Sequence, residues 1–288
     1  MRSAGAESFV PPTTSLPKLK AASSTCEGCL LYRGATQTVF GEGRPGSSLM
    51  LVGEQPGNDE DLAGAPFVGP AGRVLDEALD DVGIARDDVY VTNAVKHFKF
   101  ERRGKLRLHK TPSVTEVQAC RPWLHAEIAA VRPALVVCLG ATAAQSLLGS
   151  AFRVTREHGQ VRTGADDMPI MATVHPSSVL RAPDPEARVA QYELLRSDLE
   201  RARGFLDTLR QREGTERPPP GAAVARRKRT GGTEPKTRQE LYEEARRQRP
   251  GALEDGPRRA PPSCAPGAVT SSGDRDVSTG NHPLHVGG

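Results

Sequence analysis

The sequence predicts an α/β fold of three layers, α/β/α, built on a central, mainly parallel four-stranded sheet. Three observations carry that expectation. Four short apolar runs, at residues 48–53, 88–93, 134–139 and 169–174, are nearly uninterrupted by polar residues, the habit of strands covered on both faces. Stretches with apolar residues at helical spacing lie between them. Strands alternating with helices are the pattern of a doubly wound sheet.

The elements follow in order. Residues 1–20 lack a strong pattern and are expected to form a flexible N-terminus ahead of a folded domain at 21–212. A helix is predicted over 72–82, with Val74, Leu75, Ala78, Leu79 and Val82 on one face, and a second over 115–131 through Val117, Cys120, Leu124, Ile128 and Val131. Pro122 is expected to kink that second helix or to mark its true start. A third helix is predicted at 141–148, and a last one at 185–212 with Val189, Tyr192, Leu195, Leu199, Ala202 and Leu206 aligned. Beyond it come Pro218-Pro219-Pro220, the basic run Arg226-Arg227-Lys228-Arg229 and a Pro/Gly/Ser-rich end. Such composition buries too little apolar surface to offset chain entropy, so 213–288 reads as a disordered basic tail, interrupted by a short amphipathic stretch at 237–247.

The 39 Lys and Arg residues against 35 Asp and Glu give a net charge of +4, which permits nucleic-acid binding but does not select it. No apolar run approaches the roughly 18 residues that span a bilayer, and the N-terminal stretch has no apolar signal core. A cytoplasmic protein without membrane contact is therefore expected. Five cysteines is an odd number for a disulfide framework. Cys26 and Cys29, with two residues between them, suit a shared metal or cluster, the alternative being two ordinary thiols. Candidates to complete such a set are Cys120, early in a helix, and His97, just after the second strand; Cys138 lies inside an apolar strand and reads as core, and Cys264 falls in the tail.

Ligands of doubly wound sheets bind beyond the carboxyl ends of the strands. The segments leaving the strands here are Gly53-Glu54-Gln55-Pro56-Gly57, Asn93 onward, Gly140 onward, and His175-Pro176-Ser177-Ser178. Together with Pro66-Phe67-Val68-Gly69-Pro70-Ala71-Gly72, Val91-Thr92-Asn93-Ala94-Val95-Lys96 and the continuation to Val179-Leu180-Arg181, these motifs resemble the uracil-DNA glycosylase superfamily, in particular its iron-sulfur family 4 and the UdgX branch, over about residues 20–205.

That resemblance implies the site. Family 4 relatives read Val-Lys-Cys after the second strand, where this chain has Val95-Lys96-His97. The implied ligands of a structural [4Fe-4S] cluster are then Cys26, Cys29, His97 and Cys120, or three cysteines with His97 hydrogen-bonded beside them. Glu54 would orient a nucleophile or stabilise positive charge on the sugar, Phe67 would stack on a flipped uracil, and Gln55 would lie at the substrate. Asn93 would pair with O4 and N3–H of uracil, His175 would donate to O2 of the departing anion, and Ser177 would grip phosphate. The segment Gly104-Lys105-Leu106-Arg107-Leu108-His109-Lys110 resembles the UdgX insertion, with Leu106 departing from its arginine-rich pattern. By resemblance, Arg107 would fix this loop or bind substrate and His109 would trap the sugar covalently. The implied partner is uracil-containing DNA, preferably single-stranded, bound by a monomer. A turnover-capable family 4 glycosylase and a non-catalytic uracil-DNA binder are the alternatives.

Overall fold

In the computed structural model, which describes residues 5–216 and side chains through residue 212, the elements run in this order. Helix α1 (Leu16–Ser23) precedes β1 (Leu49–Gly53), α2 (Asn58–Ala63), α3 (Pro70–Asp81) and β2 (Val89–Asn93). A hairpin of β3 (Phe100–Arg103) and β4 (Leu106–His109) leads to α4 (Val114–Val131), β5 (Leu135–Leu139), α5 (Ala141–Leu148) and α6 (Val154–Glu157). Then come β6 (Arg162–Thr163), β7 (Pro169–Thr173), α7 (Pro176–Leu180) and α8 (Pro185–Glu216).

The main sheet has the order β2-β1-β5-β7-β6. Its first four strands are parallel and are the four apolar runs. The fifth, β6, pairs antiparallel at the edge. The expected four-stranded sheet thus gains a strand of two exposed residues, too short and too polar to leave an apolar signature.

Side chains alternate across a strand, and parallel register puts paired residues on one face. Met50, Tyr90, Val136 and Ile170 point to the layer containing Trp123 and Leu124 of α4, Ala143 and Ala144 of α5, and Leu16 and Leu19 of α1. Leu51, Val91, Val137 and Met171 point to Leu75 and Leu79 of α3 and to Leu195 and Leu199 of α8. Three layers result, as expected.

Two regions gain detail. Within residues 5–20 some side chains pack on the domain: the Ala6 N–H donates to Ala119 O at 2.8 Å, and Leu16 and Leu19 are buried against the α4 layer. Pro122 neither starts α4 nor ends it. The helix begins at Val114 behind a reciprocal cap in which Ser113 Oγ accepts from the Glu116 N–H and Glu116 accepts from the Ser113 N–H. Pro122 cannot donate to the carbonyl four residues back, on Gln118, and that residue is exposed, so water can satisfy the oxygen. The predicted tail from 217 onward, including 237–247, lies outside the described residues. No helix among the described residues is long and apolar enough to cross a membrane.

The connections from β1 and β5, neighbours at the centre of the sheet, lead to opposite sides, to β2 and to β7. This is a topological switch point, where a crevice opens beyond the carboxyl ends.

Candidate active site

A cavity of about 650 Å³ occupies that crevice. Each parallel strand delivers residues to it: Glu54 and Gln55 after β1, Asn93 at the end of β2, Gly140 and Thr142 after β5, His175 and Ser177 after β7. Phe67, Glu60, His109 and Arg181 complete the polar and aromatic lining.

One side of the cavity is shaped for a flat ring. Phe67 has a left-handed backbone, φ 55°, uncommon for a bulky residue and a sign of local constraint. Gly72 permits it, since a Cβ there would lie 1.7 Å from Phe67 O. Gly53 is equally required, because a Cβ would meet Asn93 Oδ1 at 2.4 Å and the Phe67 ring at 2.6 Å. The Phe67 and His175 rings lie 28° from parallel with centroids 6.0 Å apart. Asn93 is 2% exposed, and its Oδ1 is buried without a hydrogen-bond partner among the described residues. Leaving a buried acceptor without any partner costs about 1–3 kcal/mol, and this one borders the cavity.

His175 is held in one tautomer. Its Nδ1 accepts from the Ser177 backbone N–H at 3.1 Å and from Ser177 Oγ at 2.7 Å, so the ring proton resides on Nε2. Burial, then the charges of Arg181 and His109, lower its pKa to about 4, keeping it neutral near pH 7. Ser177, expected to grip phosphate, lines the cavity and places its hydroxyl 2.7 Å from this histidine.

The other side is built by the hairpin. The predicted basic loop is a two-stranded ribbon pairing Phe100 with His109 and Arg102 with Arg107, so these four share a face. Gln55 anchors its base: Oε1 accepts from Lys99 N at 3.0 Å, while Nε2 serves Lys99 O at 3.1 Å, Lys110 O at 3.0 Å and His109 Nε2 at 2.9 Å. The amide nitrogen carries two hydrogens for these three neighbours, so the two carbonyls and His109 Nε2 share them. The same Nε2 lies 3.6 Å from Glu54 Oε1, whose other oxygen accepts from the Thr142 hydroxyl across the switch point. Burial is the main cause lowering the His109 pKa, with Arg181 reinforcing it and Glu54 opposing it.

Arg107 does not line this cavity. Its guanidinium turns to α2, donating to Asn58 Oδ1 at 2.8 Å and Asp61 Oδ2 at 2.6 Å, and lies over the Phe98 and Phe100 rings. These contacts hold the hairpin against α2. Asp61 is fully buried and Arg107 nearly so. Removing one partner of such a pair strands the other charge, at a cost of about 3–5 kcal/mol. Arg107→Ala should lower thermal stability by that order, read by reversible denaturation; an unchanged midpoint would remove the anchoring role.

Below the segment leaving β2, Cys26, Cys29, Cys120 and His97 are all buried. Trp123 Nε1 donates to Cys26 Sγ at 3.1 Å and the Lys96 backbone N–H to Cys120 Sγ at 3.3 Å. Burial foremost raises the Cys120 pKa to about 12, and the neighbouring thiols Cys29 and Cys26 add to the rise. Among the described residues no three His, Cys, Asp or Glu side chains converge on a single-ion site. The donor chemistry nevertheless suits a cluster. Thr38 Oγ1 donates to Ser23 O at 2.8 Å, so toward His97 Nε2, 2.9 Å away, it is an acceptor. His97 then carries its proton on Nε2, leaving the Nδ1 lone pair for a metal, and burial lowers its pKa to about 4 so the ring is neutral.

The family model for the uracil DNA glycosylase superfamily matches residues 40–200, more than half of the chain. The chain belongs to the uracil DNA glycosylase superfamily. Its relatives include the type-4 uracil-DNA glycosylases of Pyrobaculum aerophilum, 37% identical over 58% of this chain and 86% of that protein, and of Thermotoga maritima, 36% identical over 63% and 89%. That of Archaeoglobus fulgidus is 36% identical over 55% and 80%.

Within this superfamily member, Glu54, Gln55, Phe67, Asn93, His109, His175 and Ser177 meet at one cavity, while Arg107 stands behind it. Sequence reading missed Glu60, whose buried carboxylate accepts from Gly57 N at 3.0 Å and Gly69 N at 2.8 Å and ties the two loops together. Burial dominates in raising its pKa. A glutamate three residues after a turn glycine was the available signal. Thr142 and Asp61 were also missed, because their partners, Glu54 and Arg107, lie far away in sequence.

Proposed function

We propose that this chain is a uracil-DNA glycosylase that excises uracil and remains covalently attached to the abasic sugar through His109. The observation that carries the reading is the His109 imidazole at the cavity, its Nε2 beside the Glu54 carboxylate and across from the buried amide oxygen of Asn93. Asn93 would accept from uracil N3–H through Oδ1 and donate to O4, a pattern cytosine reverses. His175 would donate from Nε2–H to O2 as the C1′–N1 bond breaks and its electron pair leaves on uracil N1. The His109 Nε2 lone pair then forms a bond to C1′, and Glu54 offsets the positive charge that develops on the sugar and passes to the alkylated ring. Attack by water at the same carbon would release the protein instead.

The reading includes a [4Fe-4S] cluster held by Cys26, Cys29, Cys120 and His97, acting as a structural cross-link. It takes uracil-containing DNA, single-stranded by preference, as the partner of a monomeric, cytoplasmic protein. Cys120→Ala should abolish the visible absorbance of the cluster and lower the melting temperature; an unaltered spectrum removes Cys120 from the ligand set.

The deciding experiment is incubation with uracil-containing single-stranded DNA followed by boiling in detergent and electrophoresis. A shifted protein band is expected. Alkali-labile free DNA without a shift would replace covalent capture with turnover, and intact DNA would leave only binding.

A further inference from the structure

Behind Asn93 lies a charged pair with no contact to water. Lys96 and Glu127 are 1% and 0% exposed and bonded to each other. All three ammonium hydrogens of Lys96 are used: on Glu127 Oε2, on Thr92 Oγ1 at 2.7 Å and on the Asn93 carbonyl at 2.7 Å. Glu127 Oε1 in turn accepts from Gly41 N at 2.9 Å and Tyr90 OH at 3.0 Å, and Thr92 Oγ1 is within 3.0 Å of both carboxylate oxygens. The network is satisfied throughout.

Stability alone is a poor reason for such a pair, because well-packed apolar residues of similar volume replace buried ion pairs at little or no cost. Its geometry suggests another use. Asn93 Oδ1 has no hydrogen-bond partner among the described residues, so the aim of the side chain into the cavity depends on its backbone. That backbone is pinned on one side by the register Gly53↔Asn93 and by Ala94 N donating to Gly53 O at 2.8 Å. On the other side it is pinned by Lys96 Nζ. Lys96 also donates its backbone N–H to Cys120 Sγ. One residue therefore touches both the base reader and the cysteine site.

We propose that Lys96, with Glu127 as its counter-charge, is a positioning residue that sets the aim of Asn93 and ties base recognition to the cysteine site. This rests on the glycosylase reading above. The test is a cycle between Lys96→Met/Glu127→Gln, which removes the charge while keeping acceptors for Gly41 and Tyr90, and Asn93→Ala. Single-turnover uracil release is measured alongside melting temperature and visible absorbance. The paired substitution is expected to slow release about tenfold with little change in melting, and to add almost nothing in the Asn93→Ala background. Additive losses, or unchanged release, overturn the proposal. Should the paired variant fail to accumulate folded, Tyr90→Phe removes one bond to Glu127 and leaves the charges. It is expected to slow release a few-fold, and only when Asn93 is present; an equal loss in Asn93→Ala overturns the proposal as well. A wild-type protein that releases no uracil overturns both readings together, whereas an active wild type without coupling overturns this one alone.

Discussion

Replacing His109 with serine is expected to erase the boil-resistant protein–DNA species, a loss of at least about a hundredfold in adduct yield. The serine hydroxyl is shorter and far less nucleophilic at neutral pH, and it cannot reach the position that Gln55 and Glu54 define around Nε2. Uracil release should continue, because Asn93 and His175 sit on separate strand exits and do not depend on the hairpin for their bonds. Persistence of the adduct would exclude His109 as the nucleophile. The same residue sets a pH dependence. Its folded pKa lies below 6.5, chiefly through burial, so the ring takes up a proton only at lower pH. Adduct formation should therefore stay level from about pH 8 down past that value and fall beneath it as Nε2 loses its lone pair. Wild-type yields measured after short incubations check this, and a decline that begins above the ordinary histidine pKa would contradict it.

Asn93→Ala separates function from stability more sharply. Two hydrogen bonds to uracil are lost, and the single-turnover rate of uracil release should fall about a hundredfold, roughly 3 kcal/mol. Stability should move the other way or not at all. Asn93 Oδ1 is buried without a partner in the free protein, and the truncated side chain borders a cavity that already exists, so no new void opens in the core. The expected result is a melting temperature equal to or above wild type with nearly abolished excision. A protein destabilised in proportion to its lost activity would mean that Asn93 serves the fold instead.

Much of this architecture was legible because burial leaves a local trace. The four parallel strands fall within a residue of the predicted runs, and the helices at 141–148 and from 185 begin where the apolar spacing begins. Elements without such a trace were not legible. Strand β6 has two exposed residues, and α1 buries Leu16 and Leu19 only because α4 is there to cover them. The hairpin reads as a basic loop because its exposed residues, including Leu106 at 63%, carry no alternation that faces a core. Arg107 shows the limit most plainly: a basic residue in a basic segment suggests DNA, yet it is bound to Asp61, an acid 46 residues away.

By itself, then, the sequence determined the four parallel strands and the four long helices that cover them, and that Glu54, Asn93 and His175 stand at or just beyond strand ends where a ligand can reach them. These follow from periodicity and chain direction, which are local. Only the tertiary structure decided that Thr38 faces His97 Nε2, that Arg107 braces the hairpin through Asp61, and that Lys96 and Glu127 meet behind Asn93. A hydrogen-bond partner is chosen by proximity in space, and residues 31 to 59 positions apart become neighbours only when the sheet and its helices close.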